Sequence, residues 1–130
     1  MHNSNCGLRF RAVWIAIGWL LVALIAFLSL ASAAVALPGD HGDKLGHGIA
    51  YFVLTLWFVQ LYLSGKKRLL VVSACLALGI GLECAQMLTE ARSFDIVDIA
   101  ADAAGVMFGW MAAPPRGLAF LRLVEDAGWR

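Results

Sequence analysis

Asp43, His47 and Tyr51 recur at i, i+4 and i+8, the spacing of one face of an α-helix. Glu83 and Gln86 stand at i and i+3, and Asp95, Asp98 and Asp102 at i, i+3 and i+7. Lys44 and Arg92 are the basic residues among them. Such a set can do three kinds of chemistry. Lys44 and Arg92 can hold an anion, Arg92 through two parallel bonds, with Glu83, Asp98 and Asp102 orienting them. His47 with Asp43 can serve as a general base and Glu83 as the acid. Glu83 and Asp102 can carry a proton. The competing use is structural: the same groups form a hydrogen-bonded network that only fixes helix register. The ligand-binding candidates are thus Lys44, His47, Tyr51, Glu83, Gln86, Arg92, Asp95, Asp98 and Asp102. The catalytic candidates are His47, Asp43 and Glu83.

Charge is unbalanced within this set. Five carboxylates (Asp43, Glu83, Asp95, Asp98, Asp102) face two cations (Lys44, Arg92), a sum of −3 with His47 neutral. Asp95 and Asp98 fall in the first turn of a helix, where the dipole favours negative charge. Glu83 and Asp102 have no such help, so either one of them keeps a proton or a cationic group completes the site. A divalent metal on His47, Glu83 and Asp102 is the poorer reading, because one histidine with scattered carboxylates lacks zinc-type spacing. No metal and no cofactor is expected, and no G-x-S-x-G, Walker A or H-E-x-x-H motif occurs. Cys6, Cys75 and Cys84 have no metal-type spacing and read as small apolar residues.

The elements that position these residues are long and apolar. Of the 130 residues 62% are hydrophobic and 15% charged, with a mean hydropathy of +0.80. Soluble domains average about 45–50% apolar and about 25% charged residues, so lipid is the expected solvent. Ala12 to Leu37 carries no charge and ends at Pro38-Gly39-Asp40. Leu45 to Leu63 follows, with Asp43 available as a cap. Ser64 to Arg68 is a basic turn, Leu69 to Thr89 a third run, and Asp95 to Ala113 a fourth, stopped by Pro114-Pro115. About 20 residues span a bilayer core. The fold class is therefore all-α, a membrane bundle of four transmembrane helices. Residues 1–11 form an N-terminal tail, 12–113 the transmembrane domain and 114–130 a C-terminal tail. That tail is either an amphipathic helix on the membrane surface, through Leu118, Phe120, Leu121, Val124 and Trp129, or a solvated segment.

Eight basic residues (Arg9, Arg11, Lys66, Lys67, Arg68, Arg116, Arg122, Arg130) lie on one side of this arrangement, and two (Lys44, Arg92) on the other. The positive-inside rule then puts both termini in the cytoplasm and gathers the three polar stripes in the outer half of the bilayer. The first run with Ala34-Val35-Ala36 also fits a cleaved secretory signal, although it is longer than the usual apolar region. Gly105-x-x-x-Gly109 continues the aspartate face and predicts close helix packing there, as Gly79 and Gly81 do on the third helix. If Glu83 and Asp102, at matched depth, approach closely, one of them is expected to hold a proton. A net charge of +1 without a basic stripe excludes a nucleic-acid partner.

The combined pattern Asp43-Lys44-x-x-His47-x-x-x-Tyr51, Glu83-x-x-Gln86, Arg92-x-x-Asp95-x-x-Asp98 and Gly105-x-x-x-Gly109 resembles the VanZ-like family of small bacterial membrane proteins. The resemblance implies a multi-pass protein of the bacterial inner membrane that acts at the cell envelope, and a link to glycopeptide (teicoplanin-type) resistance. Family members often carry asparagine where this chain has Asp102. The leading expectation is an outer-leaflet polar pocket that recognises an envelope lipid precursor, its head group or a glycopeptide. The alternatives are a membrane-embedded enzyme on such a lipid, a proton-coupled carrier and a structural protein. Membrane lipids are the expected partners. A carrier of four helices without inverted repeats would need a homodimer to supply its other half.

Overall fold

The computed structural model describes residues 8–31, 41–89, 94–113 and 119–128. Five helices form, and no strand occurs among the described residues: α1 Arg11–Leu30, α2 Gly42–Gln60, α3 Gly65–Gln86, α4 Ile96–Ala112 and α5 Ala119–Ala127. The four long helices form a bundle in which α2 packs most extensively on α4. α1 and α3, of 20 and 22 residues, are long and apolar enough to cross a membrane. α4 has only 17 residues, and α2 carries Asp43 and Lys44 in its 19. Of the four expected transmembrane helices, two thus qualify as membrane spans by length and composition among the described residues.

Several element ends differ from the sequence reading. α2 starts three residues early, at Gly42, so Asp43 lies in its first turn; the capping position belongs to His41, which makes no side-chain cap bond. α3 starts at Gly65 and draws Lys66, Lys67 and Arg68 into its first turn. Lysine and arginine are good helix formers, and leucines follow, so the basic stretch has no local reason to stay a turn. α1 ends at Leu30, and the Pro38 to Asp40 stop lies outside the described residues.

Close packing of α2 on α4 rests on missing side chains. A Cβ at Gly105 would collide with the backbone carbonyl of Gly48, and one at Gly109 would stand 2.6 Å from the carbonyl of Phe52. Gly79 accommodates the Asp102 carboxylate, which would lie 2.8 Å from an added Cβ. Gly81, expected to do the same, faces open space. The core beneath holds Tyr51, Leu54, Val59, Val72, Cys75 and Val106. Outside it the bundle presents apolar side chains: Leu20, Phe27, Leu70, Phe108 and Met111 are each more than 60% exposed. So large an apolar exterior needs a non-aqueous neighbour.

The C-terminal segment is helical over Ala119–Ala127, with Leu118 and Trp129 outside the described side chains. Leu121 is fully buried against Leu8 and Leu61. Glu125 accepts hydrogen bonds from the amides of Arg9 (2.9 Å) and Phe10 (3.0 Å) and from Trp14 Nε1 (2.6 Å). A carboxylate there satisfies N–H groups at the start of α1, which has no side-chain cap of its own. Burial works to raise the Glu125 pKa, but the bonds from Trp14, Phe10 and Arg9 hold it below the usual value of 4.5. The segment is thus a helix pinned through Leu121 and Glu125, with Phe120, Leu123 and Val124 left exposed.

Candidate functional site

The polar stripes meet at the end of the bundle where α2 and α4 start and α3 stops. α4 sets the frame. Its capping residue, Asp95, accepts from the Val97 amide at 2.8 Å. In a self-contained capping box the third helical residue would bond back to the cap amide. Here that residue is Asp98, and the task falls to another helix: Glu83 Oε1 of α3 accepts from the Asp95 amide at 2.7 Å. Asp98 is thereby released to face α2.

Lys44 of α2 donates to Asp95 Oδ2 at 2.9 Å and to Asp98 Oδ1 at 3.3 Å. Asp98 is buried, while the Lys44 and Asp95 side chains are each about a third exposed. The Lys44 ammonium, with the Val97 amide, holds the Asp95 pKa below the usual aspartate value. One turn deeper, His47 Nδ1 lies 2.9 Å from Asp102 Oδ1, with the two side chains 10% and 4% exposed. Three helices are thus tied by polar contacts at one end: α2 to α4 twice, and α3 to α4 through Glu83.

Each sequence candidate can now be placed. Lys44, His47, Glu83, Asp95, Asp98 and Asp102 come together. Asp43 joins them: ligand atoms of Asp43, His47 and Asp98 all lie within 4.8 Å of one another. The residues near enough to share a cation are therefore these three, not the His47, Glu83 and Asp102 considered above. Tyr51, 1% exposed, sits one turn below His47, and its hydroxyl has no partner among the described residues. Glu83 Oε2 likewise has none. Gln86 points away from the cluster and donates to the Ser29 carbonyl at 2.9 Å, tying α3 to the last turns of α1. Arg92 lies outside the described residues. No Glu83–Asp102 hydrogen bond occurs among the described residues: Asp102 meets His47, and Glu83 the Asp95 amide. A histidine and an amide donor are better partners for carboxylates than a second carboxylate.

Sequence reasoning missed Thr55, Gln60 and Arg68, all buried. Thr55 was within reach, because it continues the 43–47–51 stripe by four more residues. Arg68 was hidden by its place in a basic stretch.

The VanZ/LLP1 family model matches residues 9–121. An uncharacterised protein of Schizosaccharomyces pombe is 33% identical over 108 residues, covering 81% of this chain and 65% of the relative. The chain therefore spans about 65% of the length of that curated relative. The yeast origin shows that bacteria are too narrow a frame for these proteins. No solved structure matches the chain.

Proposed function

The chain belongs to the VanZ/LLP1 family, and on that premise we propose that it is a four-span membrane protein with both termini in the cytoplasm, whose outer polar cluster recognises the head group of an envelope lipid or of an antibiotic directed at that lipid. The observation that carries this reading is the meeting of Lys44, His47, Asp98 and Asp102 at one end of a bundle with an apolar exterior. Arg11, Lys66 and Lys67 stand at the starts of α1 and α3, the opposite end, in keeping with the positive-inside rule. α2 and α4 would complete their spans with their charged first turns at head-group level, where charge is cheap. Glycopeptide resistance would follow if the recognised group belongs to the lipid that carries cell-wall precursors.

A second reading rests on the His47–Asp102 pair. A carboxylate on one imidazole nitrogen orients the ring and prepares the other nitrogen to take a proton. Asp102, rather than Asp43, would then be the partner of the base in an enzyme acting on an envelope lipid. Native mass spectrometry of the protein released directly from membranes tests the main proposal. A co-purifying lipid that is lost in Asp98→Asn, with the thermal midpoint preserved, is the expected result. A protein that carries no lipid, in wild type and variant alike, would overturn it. A chemically altered lipid accumulating only with active His47 would move the weight to the enzyme.

A further inference from the structure

We infer that Asp43, His47 and Asp98 form a binding site for a divalent cation. The two α2 residues stand one turn apart, and Asp98 faces them from the first turn of α4. Their ligand atoms converge within 4.8 Å, a spread that a single ion can bridge. Two carboxylate oxygens with one imidazole nitrogen suit manganese or zinc better than calcium, which prefers an all-oxygen shell.

The histidine supplies the independent argument. Its side chain is nine-tenths buried, and its Nδ1 is held by Asp102 at 2.9 Å. A carboxylate acceptor places the proton on Nδ1 and leaves the Nε2 lone pair available. No hydrogen bond to Nε2 occurs among the described residues. A buried imidazole whose far nitrogen is fixed by a buried carboxylate is the usual outer support of a metal-ligating histidine. The carboxylate is itself held in place: Asp102 is 4% exposed and lies against Gly79, where a side chain would displace it.

Electrostatics point the same way. Lys44 is the only lysine or arginine among the described residues at this end, and it is shared between Asp95 and Asp98. Asp102 and Glu83 Oε2 have no salt bridge to it. A divalent ion would offset that excess. Three protein ligands would leave coordination positions open to an outside oxygen. If the head-group reading also holds, that oxygen belongs to a phosphate, which Lys44 alone is poorly placed to attract; this last step rests on that reading, whereas the ion site does not.

The test uses the full chain in detergent, stripped with a chelator and titrated with Mn²⁺ under electron paramagnetic resonance. One Mn²⁺ per chain is expected, weakened at least tenfold in Asp43→Asn and in His47→Gln and unchanged in Asp126→Asn at the opposite end. Zn²⁺ should displace the Mn²⁺. Asp43 is only half-buried, so its variant keeps the test valid if His47→Gln fails to fold. Absence of stoichiometric binding, or binding that both substitutions leave intact (an adventitious ion only), would overturn the site. Lipid retained by chelator-treated protein that binds no Mn²⁺ would sink the ion and spare the head-group proposal. Mn²⁺ binding without any lipid would do the reverse.

Discussion

Glu83 Oε1 on α3 accepts the backbone amide of Asp95, the capping residue of α4, at 2.7 Å. A carboxylate from one helix thus performs the capping-box role for another and frees Asp98 to meet Lys44. Glu83→Gln retains an acceptor oxygen for that amide, and Glu83→Ala does not. Glu83→Ala should destabilise the protein by about 1 kcal/mol, through a part-buried amide left unpaired, and Glu83→Gln by less. Thermal midpoints in detergent decide. Equal losses in the two variants would show that the amide bond is not what Glu83 contributes.

The His47–Asp102 contact sets what substitution at Asp102 should do. Asp102→Asn keeps an oxygen that can accept from His47 Nδ1, so it should fold, at a cost of about 1 kcal/mol. Asp102→Ala leaves the buried imidazole without its partner and should cost on the order of 3 kcal/mol. Urea or heat denaturation of the pair measures the difference. An alanine variant as stable as wild type would mean that the contact adds nothing to the fold.

Glycine substitutions should separate sharply. Gly105→Ala pushes a methyl group into the Gly48 carbonyl and must spread α4 from α2, so a loss of about 1–3 kcal/mol is expected. Gly81→Ala meets nothing within 4 Å and should gain about 0.5–1 kcal/mol from helix propensity. Abundance in membranes and the thermal midpoint both report this. If the two substitutions behave alike, the α2–α4 contact is looser than described.

Glu125 predicts a pH dependence. Its folded pKa is lowered, so its stabilisation is complete above the ordinary value of 4.5 and is lost as pH falls through the lower folded value. The midpoint advantage of wild type over Glu125→Gln should be constant at neutral pH and shrink below pH 4.5. An advantage unchanged down to pH 3 would remove the carboxylate from the clamp on α1.

Orientation is tested by labelling. His41→Cys should react with a membrane-impermeant thiol reagent on intact cells, and Lys66→Cys only after permeabilisation. The opposite pattern would turn the polar cluster toward the cytoplasm and defeat the head-group proposal.

The sequence by itself determined the all-α class, the four long apolar stretches and the faces that carry Asp43, His47, Asp98 and Asp102. Those properties are local: hydropathy and 3.6-residue spacing act along one chain segment. It also announced the Gly105–Gly109 contact, because a missing side chain on a polar face has few other uses. Tertiary structure alone decided the partners. Asp102 could have met Glu83 by depth, but the rotation of α4 against α2 turns it to His47 instead. The ability of Glu83 to cap α4, the diversion of Gln86 to Ser29 and the clamp of Glu125 on α1 all depend on segments distant in sequence. Periodicity says which face a residue occupies, whereas pairing depends on the azimuth and depth of two packed helices, set by close contacts such as Gly105 on Gly48.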